Sequence, residues 1–299
     1  MGLDINALYF LIAARQQGAS FNQVITVGRP EVGINLNLLE NELKQYRFPL
    51  KKSIRDLWTK EPYFAEPIFE ALGAQSISTL DASNFMGANT IHDMNLPLPN
   101  SLKNRFDIVY DTGSLEHIFN FPVAIKNCME MLKENGRLII HTTANNCMGH
   151  GFYQFSPELF YRIFSEENGF EVERLILHPV GPYGKWYQAN DPKTIKCRVE
   201  LISLRPIYLL LQARKIVSRT LFETSPQQSD YQAAWDNTAT YSLTSKKQKR
   251  WQKFGKLTPR LARFFRALSH GYEYYTTQSL RNKKLFKHQP KKPTQPLTK

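Results

Sequence analysis

The sequence predicts an α/β protein built on a doubly wound, mostly parallel sheet, and three observations lead there. Short β-branched segments alternate with helical ones from Gln23 onward. Most strand exits carry a glycine or a carboxylate. Those exit residues, Gly28, Asp81, Asp93 and Asp111, follow one another in the order that a single crevice at the carboxyl end of such a sheet requires.

The elements follow in order. Asp4 to Gln17 sets Ile5, Leu8, Tyr9, Ile12 and Ala13 at helical spacing and Gly18 is a natural stop, so residues 1–22 form a capping or docking helix ahead of the main domain. Gln23 to Val27 is a strand that ends at Gly28, where a doubly wound sheet begins its ligand site. Arg29 to Lys60 holds Leu36, Leu39 and Leu43 at helical spacing and then the basic-aromatic KQYRFPLKKSIRDLW, an insertion before the crossover helix. Glu61 to Leu72 supplies that helix, closed by Gly73; Ser76 to Leu80 and Thr90 to His92 are strands closed by Asp81 and Asp93. The strand Phe106 to Tyr110 and the helix Pro122 to Lys133 follow. After Asn135-Gly136 come the strand Arg137 to Thr142 and a helix with Ser156 as N-cap and Pro157 at N1. Glu171 to Leu177 and Cys197 to Ser203 are the candidate last strands, so the main domain covers residues 23–204. Beyond it, amphipathic helices are expected over Ile207 to Leu221 and Pro259 to Ser269, and the Lys/Pro-rich end KHQPKKPTQPLTK is expected to be disordered.

A chain of 299 residues with 42% hydrophobic content can bury a full core. Cys128, Cys147 and Cys197 are too few and too scattered for a disulfide framework, and no signal peptide opens the chain, so a reducing cytoplasm is expected. No apolar run approaches the roughly 20 residues that span a bilayer. Asn6 stands where a myristoylation signal needs Ser or Thr. The charge is concentrated: of 39 Lys and Arg and 26 Asp and Glu, residues 246–299 hold 16 bases and one acid, Glu273, leaving 23 bases against 25 acids in the first 245 residues. A near-neutral body carries a strongly basic tail.

The run FDIVYDTGSLEH, followed by a helix, LKENGRLII and GHGFYQFSPELF, resembles the second half of a class I S-adenosylmethionine (SAM)-dependent methyltransferase, and the resemblance extends over about Gln23 to Ser203. It implies a Rossmann-like sheet finished by an antiparallel strand, SAM as cofactor, and roles for particular residues. Asp81 would accept from both ribose hydroxyls, or else is an ordinary turn or capping Asp. Asp93 would bond the adenine amino group with Met94 packing on the ring, or else forms an Asx turn before a Pro-containing loop. Asp111, Thr112 and Gly113, with Ser114, would flank the methionine end, Gly113 letting backbone approach a ligand. His150, in a Gly-flanked loop, and His117, in the LEH signature, are the candidate general bases. For His117 the reading as a helix-start histidine bonded to backbone is preferred, so His150 is the stronger candidate. The sequence departs from the family at the first turn, ITVGRPEVG: Thr26 replaces an acid, Pro30 takes a glycine position, and only Gly28 survives. Either the insertion rebuilds that wall, with Arg29 or Glu31, or the cofactor has been lost.

Phe152, Tyr153 and Phe155 would wall an acceptor pocket or pack the following helix. Cys147-x-x-His150 invites a metal reading, but no second Cys/His pair stands nearby, so no metal is expected. The function so implied is O-methylation of a small molecule or of a carbohydrate- or lipid-linked intermediate. The alternatives are a degenerate methyltransferase fold serving as a binding module, and an RNA methyltransferase. For the tail, whose charges interleave with Trp251, Phe254, Phe264, Phe265, Tyr272, Tyr274, Tyr275 and Phe286, peripheral contact with an anionic membrane is preferred to nucleic acid, because no recognition motif accompanies the charge.

Overall fold

The structure, a computed structural model, describes residues 2–59, 62–235, 268, 271–272 and 275–294. Its strands are β1 (Gln23–Val27), β2 (Ser76–Asp81), β3 (Thr90–Ile91), β4 (Phe106–Asp111), β5 (Leu132–Asn145), β6 (Phe170–Pro179), β7 (Trp186–Ala189), β8 (Ile207–Lys215) and β9 (Phe286–Gln289). They form one sheet in the order β3-β2-β1-β4-β5-β8-β6-β7-β9. The first five are mutually parallel, while β8 runs antiparallel to both β5 and β6. From β1 the chain winds outward through β2 and β3, then crosses back to β4 and β5, so the winding reverses between β1 and β4. The register brings three strand ends level there, because Val27 pairs with Leu80 on one side and with Asp111 on the other. A doubly wound sheet opens its ligand crevice at such a reversal.

Helices cover both faces. On one, α5 (Phe121–Met131) and α6 (Pro157–Ile163) bury Ile125, Met129 and Phe160 against Ile25, Val109 and Ile140. On the other, α1 (Ile5–Gln16), α2 (Leu36–Gln45) and α4 (Glu66–Ala71) bury Leu8, Leu43 and Phe69 against Val24, Ile108, Ile139 and Leu210. The helix α3 (Ile54–Leu57) lies between α2 and α4 in sequence. Helix starts obey local chemistry: Asp4 accepts from the Ala7 amide, Asn35 from those of Asn37 and Leu38, and Ser156 from that of Leu159, ahead of Pro157.

Three expectations need correction. Ile207 to Leu221 does not form a helix, because Ile207–Lys215 is the strand β8. Lying between β5 and β6, it is covered on both faces, so Leu209, Leu210, Leu211 and Ala213 are all buried and the period-two signal of a half-exposed strand is erased. The antiparallel finishing strand is therefore β8. Cys197 to Ser203 forms no strand, and the sheet continues past residue 204. The end of the chain is not wholly disordered either: β9 pairs along β7, Phe286 and Leu285 are buried, and Lys292 reaches Glu42. The β7 edge is thereby paired, and β9 becomes the end strand of the sheet. Apart from Leu268, the helix expected over Pro259 to Ser269 lies outside the described residues, as does most of the basic tail. Among the described residues no helix is long and apolar enough to cross a membrane.

Candidate functional site

The site is built from the level ends of β1, β2 and β4. Past Val27 the chain turns at Gly28, whose φ of +73° is left-handed backbone. The turn is braced on three sides. The Gly28 amide donates to the Leu80 carbonyl (2.7 Å), the Thr26 hydroxyl donates to the Gly28 carbonyl (2.7 Å), and the Ser114 hydroxyl donates to the Val27 carbonyl (2.8 Å). Thr26, where the resemblance leads one to expect an acid, is thus a buried lock on the turn. A Cβ on Gly28 would lie 2.5 Å from Ser114 Oγ. We expect Gly28→Ala to cost about 1–2 kcal/mol for left-handed backbone plus the Ser114 hydrogen bond. In a Ser114→Ala background the second part should vanish, which chemical denaturation of the single and double variants reads as a coupling energy.

Arg29 does not face an open crevice. Its Nε bonds Glu66 at 2.6 Å, Nη1 donates to the Met86 carbonyl at 2.9 Å, and the guanidinium lies 3.8 Å from the Phe64 ring centroid. It ties the start of α4 to the loop after β2. Beside it, residues 30–33 lie between two neighbours: Leu3 N donates to Glu31 O and Gly33 N to Leu3 O on one side, Val32 N to Tyr63 O and Ala65 N to Pro30 O on the other. The insertion therefore builds a small backbone ladder beside the Gly28 turn, with Leu3 on one side of it. Glu31 itself is exposed.

Asp81 ends β2 with its carboxylate half-exposed, and among the described residues no side-chain partner satisfies it. Its carbonyl accepts from His92 N. In the loop that follows, Phe85 is 91% exposed, an aromatic face that sequence reasoning passed over. Asp93 forms the Asx turn: its Oδ1 accepts from the Asn95 amide and Nδ2, which hold its carboxyl below the usual range. Met94 is buried in the core beside Asn127 rather than presented to the crevice.

At the end of β4, Asp111 is wholly buried, and its Oδ1 accepts from the Ser114 and Leu115 amides. Burial, reinforced by the charge of Glu116, pushes its carboxyl well above the usual carboxylate range against those amides. Asp111 thus caps the 3-10 turn Leu115–His117 from inside. Gly113 has φ +93°, and Thr112 Oγ1 lies 3.4 Å from the Gly2 carbonyl, so the chain's start crosses this loop.

That turn carries the most unusual group. Glu116 is fully buried; Thr142 Oγ1 donates to its Oε2 (2.9 Å), while Oε1 lacks a hydrogen-bond partner and faces His150 Nε2 at 3.5 Å. The loop after β5 is fastened over it: Phe152 N and Tyr153 N both donate to the Glu116 carbonyl, and Gly151, at φ +76°, has no room for a Cβ, which would meet that carbonyl at 2.7 Å. His117 and His150 stand edge to face, 5.1 Å between centroids. The two candidate bases are therefore brought together, with a buried carboxylate that the sequence reading left without a role. The aromatic trio divides: Phe155 is core, Tyr153 is half-buried with its hydroxyl donating to Phe119 O, and Phe152 is exposed against an exposed Phe119. A cavity of about 620 Å³ opens among Arg162, Glu171, Lys193 and Arg219 at the opposite, amino-terminal end of β6, away from all of these groups.

No family model matches the chain, and no curated protein matches it. Among solved structures it is similar to a Bacillus halodurans protein described as a methyltransferase, at 13% identity over 69% of this chain and 99% of that one with a TM-score of 0.35. It is also similar to the branched-chain polyamine synthase of Thermus thermophilus, solved with N4-aminopropylspermidine and 5'-methylthioadenosine, at 12% identity over 73% and 58% with a TM-score of 0.36. A third is the [4+2]-cyclase SpnF, at 15% identity over 71% and 81% with a TM-score of 0.37. By its own strand order, with β8 set antiparallel between β5 and β6, the chain has the Rossmann-like α/β fold that its resemblance to class I SAM-dependent methyltransferases implies.

Proposed function

We propose that this chain is a SAM-dependent methyltransferase whose acceptor is a hydroxyl on a small molecule or on a carbohydrate- or lipid-linked intermediate. The observation that carries the reading is the pairing, at the reversal of the winding, of a left-handed Gly28 turn with the Asp81 carboxylate on the adjoining strand, which has no side-chain partner among the described residues. Backbone that can approach a ligand stands beside an acceptor suited to two vicinal hydroxyls. When bound, SAM supplies an electrophilic methyl group on a sulfonium, so the protein's tasks are to hold, to align and to receive a proton. Asp81 holds the ribose, Phe85 offers an aromatic face for the base, and Gly28 with the loop Asp111 to Ser114 borders the methionine end. Arg29 serves by fixing the wall, and Asp93 and Met94 shape the loop from outside the crevice. On the acceptor side, exposed Phe119 and Phe152 suit an apolar portion of the acceptor. The proton of its hydroxyl goes to the His117, His150 and Glu116 group.

Calorimetric titration with SAM and S-adenosylhomocysteine tests the reading, with binding expected in the micromolar range. Asp81→Ala should weaken it about 10- to 100-fold, the worth of a hydrogen-bonded charge. No heat at millimolar ligand from folded protein would overturn it. The anchored Arg29 gives specific support to a second reading, a binding module on a methyltransferase fold, for which Asp81→Ala would leave biological activity intact. Contact of the tail with anionic membranes remains part of the proposal, tested by vesicle flotation with and without residues 246–299.

A further inference from the structure

Glu116, His117 and His150 each present one donor atom, and these atoms all lie within 4.8 Å of one another. Closeness alone would signify little; the buried carboxylate signifies more. A fully buried carboxylate oxygen without a hydrogen bond is costly, and proteins keep one where something else satisfies it. Here Glu116 Oε1 points to His150 Nε2, which is itself without a hydrogen-bond partner, across a 3.5 Å gap. An ion about 2.0–2.2 Å from each donor fits such a span after small rotations of the two imidazoles.

The surroundings hold this group as the partners of metal ligands are held. Thr142 Oγ1 fixes the other carboxylate oxygen, Asp111 caps the turn that carries Glu116 and His117, and the loop bearing His150 is fastened to the Glu116 carbonyl through Phe152 N and Tyr153 N. Two imidazoles and one carboxylate suit zinc-class divalent ions, and three protein ligands leave a coordination position open. His117 is exposed and His150 half-exposed, so that position faces solvent beside Phe119 and Phe152.

We propose that Glu116, His117 and His150 form a divalent transition-metal site with an open position, on the acceptor side of the crevice. Binding of the ion is independent of the transferase reading. Its role rests on that reading and, where the ion is bound, takes the place of the proton transfer to these side chains: an acceptor hydroxyl entering the open position would have its pKa lowered by the ion and would release its proton to solvent water there.

The test is titration of chelator-treated protein, without SAM, by CoCl₂ followed through visible d–d absorption and by ZnCl₂ followed through calorimetry. One equivalent should bind at micromolar concentration or tighter with a four- or five-coordinate cobalt spectrum. His117→Ala, at an exposed position that folding should tolerate, and Glu116→Gln should each weaken binding by at least about 100-fold; Thr142→Val, which removes only an outer partner, should weaken it about 10-fold. Cys147→Ser should bind as the parent does. No binding at millimolar Co²⁺, or binding unchanged in His117→Ala, overturns the site and leaves an ordinary Glu–His ion pair. Because SAM is absent, a failed SAM titration leaves this outcome standing, and the reverse holds too.

Discussion

Acidification should destabilise this protein, with a loss of about 3 kcal/mol between pH 7 and pH 4.5 from each buried histidine that stays neutral. The source is a pair of buried histidines on the face of the sheet opposite α5 and α6. His141 on β5 and His178 on β6 lean toward each other over β8, Nε2 to Nε2 at 3.2 Å. His178 Nδ1 lies 3.0 Å from the Pro179 carbonyl, which can only accept. So His178 carries its proton on Nδ1, its Nε2 accepts, and His141 must donate from Nε2. That bond requires His178 to be neutral, since a charged His178 would set two N–H groups against each other at Nε2; His141 is kept neutral by its burial. Burial first, then the charge His141 would carry, pushes His178 down to about 3; burial also lowers His141, against the pull of Asp4, whose Oδ1 is 4.0 Å from His141 Nδ1. The other groups facing the pair are Tyr208 and Lys291.

The sign follows from proton counts. Above about pH 6.5 the rings are neutral in both folded and unfolded chains and contribute no pH dependence. Below it the unfolded chain binds protons that the folded chain refuses, so stability falls with falling pH, by about 1.4 kcal/mol per unit for each ring held neutral. Asp4, whose carboxyl His141, the Ala7 amide, Asn6 and His178 together hold low despite the opposing and largest single effect of burial, adds loss in the same direction below about pH 4. Urea unfolding at several pH values measures this. His178→Asn, which keeps a donor for Pro179 and removes a titrating ring, should flatten the profile. A wild-type profile already flat from pH 7 to 4.5 would show that the pair does not stay neutral.

These histidines also show where sequence reading stops. Strands with their own punctuation were legible: β1 is bounded by Gln23 and Val27 as expected, and β2 and β4 each gain only the terminal Asp. β8 was not, because a strand covered on both faces has no alternation to distinguish it from a helix. The same strand hides the histidine pair. Residues 37 positions apart meet only because Leu210 pairs with His141 and Tyr208 with His178, a register nothing local encodes. At the candidate site, His117 and His150 were found by residue type, whereas Glu116, named only as a letter of LEH, acquires meaning from complete burial. The one available signal was a carboxylate in a tight turn directly after the buried strand that ends at Asp111. The altered first turn was legible as a departure, but not its resolution, since the ladder of residues 30–33 depends on Leu3 and Tyr63, both distant in sequence.

Trp186→Ala should remove about 3–5 kcal/mol of stability, the range for deleting a buried indole. The ring is 1% exposed, meets Phe10 of α1 edge to face at 5.9 Å, and its Nε1 donates to Asn6 Oδ1 at 3.1 Å. It also sits on β7 opposite Gln289 of β9, so it joins α1, the sheet and the chain's end at one point. Two consequences of its loss oppose each other. Asn6 loses the donor to its Oδ1 inside the protein, which adds to the cost. Arg174, whose guanidinium lies 4.5 Å from the Phe10 ring and 5.6 Å from that of Trp186, is held down to about 10 by burial, and it regains water through the vacated space. The relief from rehydrating a buried cation should roughly cancel the orphaned Asn6, leaving the cavity cost in control. Trp186→Phe keeps most of the volume, so it should cost less than half as much. Because Asp4 caps the start of α1 and residues 2–3 hold both Glu31 and Thr112, loosening α1 should also speed amide exchange at Leu3 and Gly33, the two amides on the Leu3 side of that ladder. A Trp186→Ala protein that unfolds within about 1 kcal/mol of the parent, with exchange there unchanged, would show that α1 docks without this ring and that the ladder over Gly28 is held from the insertion alone.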